Sequence, residues 1–141
     1  MGRILSIDYG AKRTGLAVTD TLQIIANSLA TVPTSELMKF LTDYIAKEDV
    51  EEVVVGQPKQ SDNTPSENMA RVNTFVKKFK EKFPAMKVTM HDERFTTVLA
   101  HQAIISGGVK KSARRDKGLA DRVSAVIILQ SYLEQIKYNK L

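Results

Sequence analysis

Ile4-Leu-Ser-Ile-Asp8-Tyr-Gly10, continued by Ala-Lys12-Arg13-Thr-Gly15-Leu-Ala-Val-Thr-Asp20, is the stretch that decides the fold. Two apolar runs of strand length flank a turn carrying glycine, lysine and arginine, which predicts a hairpin. The first run ends on a carboxylate. Desolvating an ionised Asp costs on the order of several kcal/mol unless a cation or hydrogen-bond donors meet it. Two readings are open at this point. Asp8 ends the strand and ties down the turn, as Asp commonly does, or it waits at the strand end for a cation. Whether other acids converge on the same point decides between them.

Working outward, residues 3–8 and 15–19 form two strands, and residues 24–31 are apolar enough to add a third and close a meander. Pro33 with Thr34 or Ser35 marks a helix start, followed by Leu37, Phe40, Leu41, Tyr44 and Ile45 at helical spacing. Glu52-Val-Val-Val-Gly56 reads as a short, fully apolar strand of the kind buried inside an α/β sheet. A polar loop at 57–65 leads to a helix that opens at Ser66 or Glu67. That helix carries Met69, Val72, Phe75, Val76 and Phe79, and Pro84 ends it. Residues 87–90 form a fifth strand. A helix over 95–105 is stopped by Gly107-Gly108, and a last helix over 119–136 turns Val123, Val126, Ile127, Leu133 and Ile136 to the core.

The order β-β-β-α-β-α-β-α-α describes an α/β fold with a mixed five-stranded sheet. A three-strand antiparallel meander is followed by alternating helices and strands, with helices on both faces. No repeat, low-complexity tract or linker divides the 141 residues, which read as one domain, 1–141.

Composition narrows the function classes. An apolar fraction of 43% and four prolines argue against a disordered chain. With no cysteine there is no disulfide, Cys-based zinc site or thiol redox centre, which fits a reducing compartment. No apolar run approaches transmembrane length, and the first residues read as a strand rather than a signal peptide. The expectation is a cytoplasmic protein with no membrane partner. Lys and Arg exceed Asp and Glu by 21 to 16, a formal charge of +5, which suits a polyanionic partner. Lys110, Lys111, Arg114, Arg115 and Lys117 crowd one Gly-flanked stretch. They suit backbone phosphates, with affinity but no sequence reading; a solvated charge run is the plainer alternative. Aromatics are few (no Trp, four Tyr, five Phe), which argues against base stacking as the main mode of recognition.

In such sheets chemistry collects at the carboxyl ends of the strands. Asp8 lies at one such end, His91, Asp92 and Glu93 follow another, and Asp121 falls in the first turn of the last helix, where it suits the helix dipole. Three acids from three elements, Asp8, Glu93 and Asp121, thus come to one sheet edge. Clustered carboxylates raise one another's pKa unless a cation is present. Mg²⁺ or Mn²⁺ is the natural answer, because these hard ions take oxygen ligands. Two such ions about 3.5–4 Å apart stabilise both the attacking water and the leaving oxygen of a phosphodiester. Ser124 and Ala125 are small and lie on the Asp121 side of the helix, which lets that side approach the sheet closely. Taken singly, each acid has a plainer explanation: turn former, surface charge and helix N-terminal acid. His91 has two readings, a general base or, as is commoner for one histidine after a strand, a structural residue.

At this point the chain resembles a known family. Ile7-Asp8-Tyr-Gly10-Ala-Lys12-Arg13-Thr-Gly15-Leu-Ala17 is similar to the opening motif of the YqgF/RuvX proteins. Val54-Val-Gly56-Gln-Pro58, Asp92-Glu93-Arg94-Phe-Thr96-Thr97 and Asp121-Arg-Val-Ser-Ala125-Val-Ile-Ile-Leu129 match its later motifs in order and spacing. The resemblance covers nearly the whole chain. It implies an RNase H-like fold related to the RuvC resolvases. It also implies processing of pre-16S rRNA, or, in an earlier description of the family, resolution of Holliday junctions. The family's acids fall on Asp8, Glu93 and Asp121. Three places depart from the pattern: Gln57 where Leu is usual, Ser61-Asp62-Asn63 in place of a Met-Asp-Gly turn, and Arg122 where a small residue commonly follows the last acid. None removes a metal ligand.

Lys12, Arg13 and Arg94 stand beside these acids, where they can hold or orient a phosphate; a solvated turn and a surface ion pair are the alternatives. Thr96 and Thr97 read as caps of the next helix. The leading reading is a metal-dependent nuclease acting on pre-rRNA, alone or in ribosomal precursor particles. Branched DNA is the other substrate, for which a homodimer is expected. A low-turnover nucleic-acid-binding assembly factor is the reading from another class. A sugar-kinase or actin type of ATPase needs two such domains facing each other, which one hairpin in 141 residues does not supply.

Overall fold

Alternation of side chains along the first strand sets the two faces of the sheet. The computed structural model describes residues 2–57, 67–92 and 117–139, with side chains at 67, 92, 117–121 and 137–139 outside the description. The elements are β1 (Arg3–Asp8), β2 (Arg13–Thr19), β3 (Ala26–Pro33), a 3₁₀ turn (Thr34–Glu36), α1 (Leu37–Lys47), β4 (Val50–Gln57), α2 (Glu67–Lys82), β5 (Lys87–Asp92) and α3 (Lys117–Asn139). The strand order is β3-β2-β1-β4-β5. β1–β2 and β2–β3 are antiparallel, whereas β1–β4 and β4–β5 are parallel. The expected meander and mixed sheet are both present, and the helix expected over 95–105 lies outside the described residues.

Leu5 and Ile7 of β1 face one way, with Val53 and Val55 of β4 and Leu16 and Val18 of β2. They pack under Leu37 and Leu41 of α1 and Val72, Phe75 and Phe79 of α2. Ile4, Ala17 and Val54 face the other way, against Ala125, Ile128, Leu129, Tyr132 and Leu133 of α3. The core face expected for the last helix is present in part: Leu133 is buried and Val126 and Ile136 pack against the cluster, but the centre of the face is shifted. Val123, Val126, Ile127 and Ile136 are only partly buried, and the stripe through Ala125, Ile128, Leu129 and Tyr132 faces the sheet. This helix is apolar on several sides, so periodicity alone did not fix its phase.

The contact between α3 and the sheet is close because small residues meet there. Ser6 and Ala125 are both fully buried, and the Ser6 hydroxyl donates to the Ala125 carbonyl at 2.7 Å. Further along, the Tyr132 hydroxyl donates to Glu52, which also accepts from the Thr89 hydroxyl at 2.7 Å and lies 3.7 Å from Lys87 Nζ. Glu52 is 6% exposed, so the strand expected to be fully apolar carries a buried carboxyl group. It is tolerated there because its oxygens are hydrogen-bonded. Burial first, and the bond to Glu52 second, push the Tyr132 phenol above its ordinary value.

Boundaries moved where local hydrogen bonds outweighed apolar pattern. β3 begins at Ala26 rather than residue 24, because the Asp20 carboxylate takes the N–H groups of Leu22, Ile24 and Ile25 at 2.8–3.0 Å. Leu22, Ile24 and Ile25 are exposed as a result. The N–H of Ile25 foremost, with those of Ile24 and Leu22, holds the Asp20 carboxyl below the ordinary carboxylate range. β2 reaches back to Arg13, which pairs with Pro33, and β4 runs over Val50–Gln57 rather than 52–56. Among the described residues no helix is long and apolar enough to cross a membrane.

Two outcomes follow from the α3 seam. Ala125→Leu overfills the contact with Ser6 and costs about 1–3 kcal/mol, read as a lower denaturation midpoint at unchanged slope. Tyr132 in the folded protein favours its neutral form, so its share of stability is complete below the unfolded pKa near 10 and is lost as pH rises through the higher folded value. Tyr132→Phe lowers stability by about 1.5–3 kcal/mol at neutral pH and removes that part of the alkaline loss. Chemical denaturation of both proteins from pH 7 to 11 measures the two effects.

Candidate functional site

Parallel pairing of β1, β4 and β5 aligns three strand ends on one edge of the sheet. Ile7 pairs with Val55, Gly56 with His91 and Gln57 with Asp92. Asp8 is the last residue of β1 and pairs with Gly15 across the hairpin. It shares the face of Ile4 and Ser6, the face that α3 covers. Glu93 follows β5 directly and lies outside the described residues.

The course of α3 fixes where its acid-bearing turn sits. Ala125 stands over Ser6, and Tyr132 reaches Glu52, the partner of Ile4. The helix therefore runs counter to β1, and its earlier residues lie over the strand's carboxyl end. Arg122 extends this: its guanidinium approaches the Thr31 hydroxyl at 3.4 Å. Thr31 pairs with Gly15, and Gly15 with Asp8. The row Asp8–Gly15–Thr31 thus passes beneath the turn of α3 that contains residues 121 and 122. Asp121 occupies that turn by its backbone; its side chain is outside the description. α3 begins at Lys117, so Asp121 falls in the second turn rather than the first, where the dipole acts more weakly. The departure at Arg122 also gains a partner here, the third strand of the meander.

Asp8 is thus the one acid of the three whose side chain is described, and no three His, Asp or Glu side chains among the described residues stand together. The available donors are hard carboxylate oxygens in a chain without cysteine, which suits Mg²⁺ or Mn²⁺ rather than a soft metal.

The turn after Asp8 is built to a fixed shape. A Cβ on Gly10 would come within 2.2 Å of the Arg13 carbonyl oxygen, so no other residue fits without moving the backbone. Thr34 clamps the turn from outside. Its N–H donates to the Lys12 carbonyl at 3.0 Å and its hydroxyl to the Gly10 carbonyl at 2.7 Å, with the Thr14 hydroxyl 2.9 Å away. The helix start expected at Thr34 is present as the 3₁₀ turn that leads into α1, but the Thr34 side chain serves the hairpin turn as well. The available signal was a hydroxyl residue at the end of the strand that pairs with the turn. Asn68 of α2 adds a bond from its amide to the Tyr9 carbonyl at 2.8 Å. Lys12 and Arg13 are exposed on this turn, beside Asp8.

His91 is half-buried, with Nε2 3.0 Å from the Ser131 hydroxyl and its ring edge-on to Tyr132 at 6.2 Å. These contacts hold β5 to α3, in line with a structural histidine. Arg94, Lys110, Lys111, Arg114 and Arg115 lie outside the described residues. Lys117 opens α3, with its side chain outside the description.

With this geometry in place, comparison with known proteins is specific. A family model described as RuvX, Holliday junction resolvase, matches residues 2–135. A protein of Parabacteroides distasonis named "Putative pre-16S rRNA nuclease" is 59% identical over 139 residues, covering 99% of each chain. One of the same name from Phocaeicola vulgatus is 58% identical, covering 98% of this chain and 99% of its own. In structure, Thermus thermophilus RuvC in complex with Holliday junction substrate superposes with a TM-score of 0.54 at 16% identity, covering 96% of each chain. That likeness shows the RNase H-like fold, and the sequence matches show the family: the chain belongs to the RuvX family.

Proposed function

We propose that this chain is a metal-dependent nuclease that hydrolyses phosphodiester bonds of structured nucleic acid and processes the 5′ end of pre-16S rRNA. The observation that carries this reading is Asp8 at the end of the central strand, in one row with the turn of α3 that bears Asp121. Relatives 58–59% identical over nearly their full length, and named for pre-16S rRNA, support the choice of substrate. On this reading residues 1–141 are one nuclease domain, acting in the cytoplasm on the precursor RNA or its particles.

Asp8, Glu93 and Asp121 would hold one or two Mg²⁺ or Mn²⁺ ions. When bound, such ions supply Lewis acidity to a phosphoryl oxygen and lower the pKa of an attacking water. Lys12 and Arg13, exposed on the clamped turn, bind and orient the phosphodiester next to Asp8. Arg94 orients the same phosphate. Lys110, Lys111, Arg114, Arg115 and Lys117 hold flanking backbone phosphates and make binding salt-sensitive. Thr34 acts through the turn, fixing the carbonyls of Gly10 and Lys12 so that the two cations stay in register.

Asp8→Asn keeps side-chain volume and lowers cleavage by roughly a thousandfold, the scale of several kcal/mol of transition-state stabilisation. Wild type and variant are compared on a pre-16S rRNA fragment and a four-way DNA junction, with Mg²⁺, Mn²⁺ or EDTA. Cleavage that persists in the pure variant overturns the assignment of Asp8. Binding without metal-dependent turnover favours the assembly factor, and cutting of the junction alone favours the resolvase. Thr34→Val removes one hydrogen bond to the turn and raises KM about two- to tenfold with a smaller change in kcat, and Thr34→Ser restores it.

A further inference from the structure

Side chains alternate about the sheet edge, so Asp8 faces α3 while the next residue, Tyr9, faces the opposite layer. There Tyr9 lines a cleft of about 400 Å³ between the start of α1 and one side of α2. This volume is in the range of pockets for a small ligand rather than a groove for a duplex. Its floor is apolar: Tyr9 packs on Phe75 with ring centroids 5.3 Å apart, and half-buried Met38 completes it. Its rim is cationic. Arg71 and Lys78 lie seven residues apart on α2, both exposed. Neither forms an ion pair among the described residues, and no described carboxylate lines the cleft.

An apolar floor under two exposed cations suits a ligand with a flat apolar face and adjacent negative charge. We infer that the cleft holds one unpaired nucleotide of the strand that runs to Asp8, its base against Tyr9 and Met38 and its phosphates on Arg71 and Lys78. The inference rests on the nuclease reading for the identity of that strand. The occupant is single-stranded because a paired base cannot turn its face into a cleft of this size. It neighbours the cut because the lining begins one residue after Asp8, on the other side of the same edge. A duplex held only by its backbone makes no use of the floor.

The experiment uses full-length Asp8→Asn protein, so that binding is read without cutting, and two RNA hairpins, one blunt and one with a short unpaired tail. Arg71→Gln with Lys78→Gln removes the rim charge. Ala70→Trp, at an exposed position on the cleft wall, fills the opening without changing charge. The tailed hairpin binds about tenfold more tightly than the blunt one, as expected for one stacked base and its phosphates. Both cleft variants erase that advantage while leaving the blunt hairpin's affinity unchanged. The double variant also reduces the salt slope of tailed binding by roughly 1.4, for two single-strand phosphate contacts. An undiminished tail advantage in either variant overturns the inference, as does equal weakening of both hairpins. Asp8-dependent cleavage together with an unaffected tail advantage sinks the cleft alone. A cleft-dependent tail advantage with no metal-dependent cleavage by the wild type sinks the nuclease reading and leaves a strand-binding site.

Discussion

The contact between Ser6 and Ala125 governs where everything else at the sheet edge can stand. A serine hydroxyl reaches a helix carbonyl at 2.7 Å only if the helix lies almost on the strand. Both residues must be small and fully buried for that, as they are. Because Tyr132 is anchored to Glu52 further along, the helix is held at two points and has no freedom to slide. Its direction over β1 then follows, and so does the arrival of residues 121 and 122 above the row Asp8–Gly15–Thr31.

The edge itself is made rigid by a different kind of contact. Chain reversal between β1 and β2 places basic residues close to a carboxylate, a useful arrangement only if the loop keeps one shape. Gly10 removes the Cβ that would strike the Arg13 carbonyl, and Thr34 satisfies two carbonyls of the turn from the far side of the meander. The third strand thus contributes through its end as well as through its ladder. Asn68 ties α2 to the Tyr9 carbonyl, so layers on both faces bear on the same few residues.

Much of this was legible in the order of residues, and the exceptions share a cause. Strand β1, the hairpin and the helices under Leu37, Leu41 and Phe79 follow from local patterns that agree with the tertiary packing. Ile24 and Ile25 read as strand because they are apolar, but the Asp20 carboxylate captures their N–H groups and turns them to solvent. Glu52 opens a run that reads as a fully apolar strand, and only the arrival of Tyr132 and Thr89 from distant segments makes its carboxyl group tolerable in the interior. α3 offers apolar residues on several sides, so the choice of Ala125 over Val126 as the buried position belongs to the sheet, not to the helix. At the candidate site the acids were visible as residue types at strand and helix ends. The role of Thr34 was not, because its partners are carbonyls, which any residue type supplies.

One strand end serves two layers here, and this follows from the pleat rather than from any special sequence. Asp8 and Tyr9 are consecutive, so they leave the sheet on opposite sides. The α3 side is closely packed and carries Asp8; the α1–α2 side stays open beside Tyr9 and carries Arg71 and Lys78, which form no ion pair among the described residues. On the proposed nuclease reading, a polyanion crossing the edge meets Asp8 on one side, which needs a cation to accept phosphate, and basic groups on the other that need none. On that reading the arrangement separates the work of holding a strand from the work of cutting it. It does so within two residues of backbone, which leaves the holding surface free to vary without disturbing Asp8.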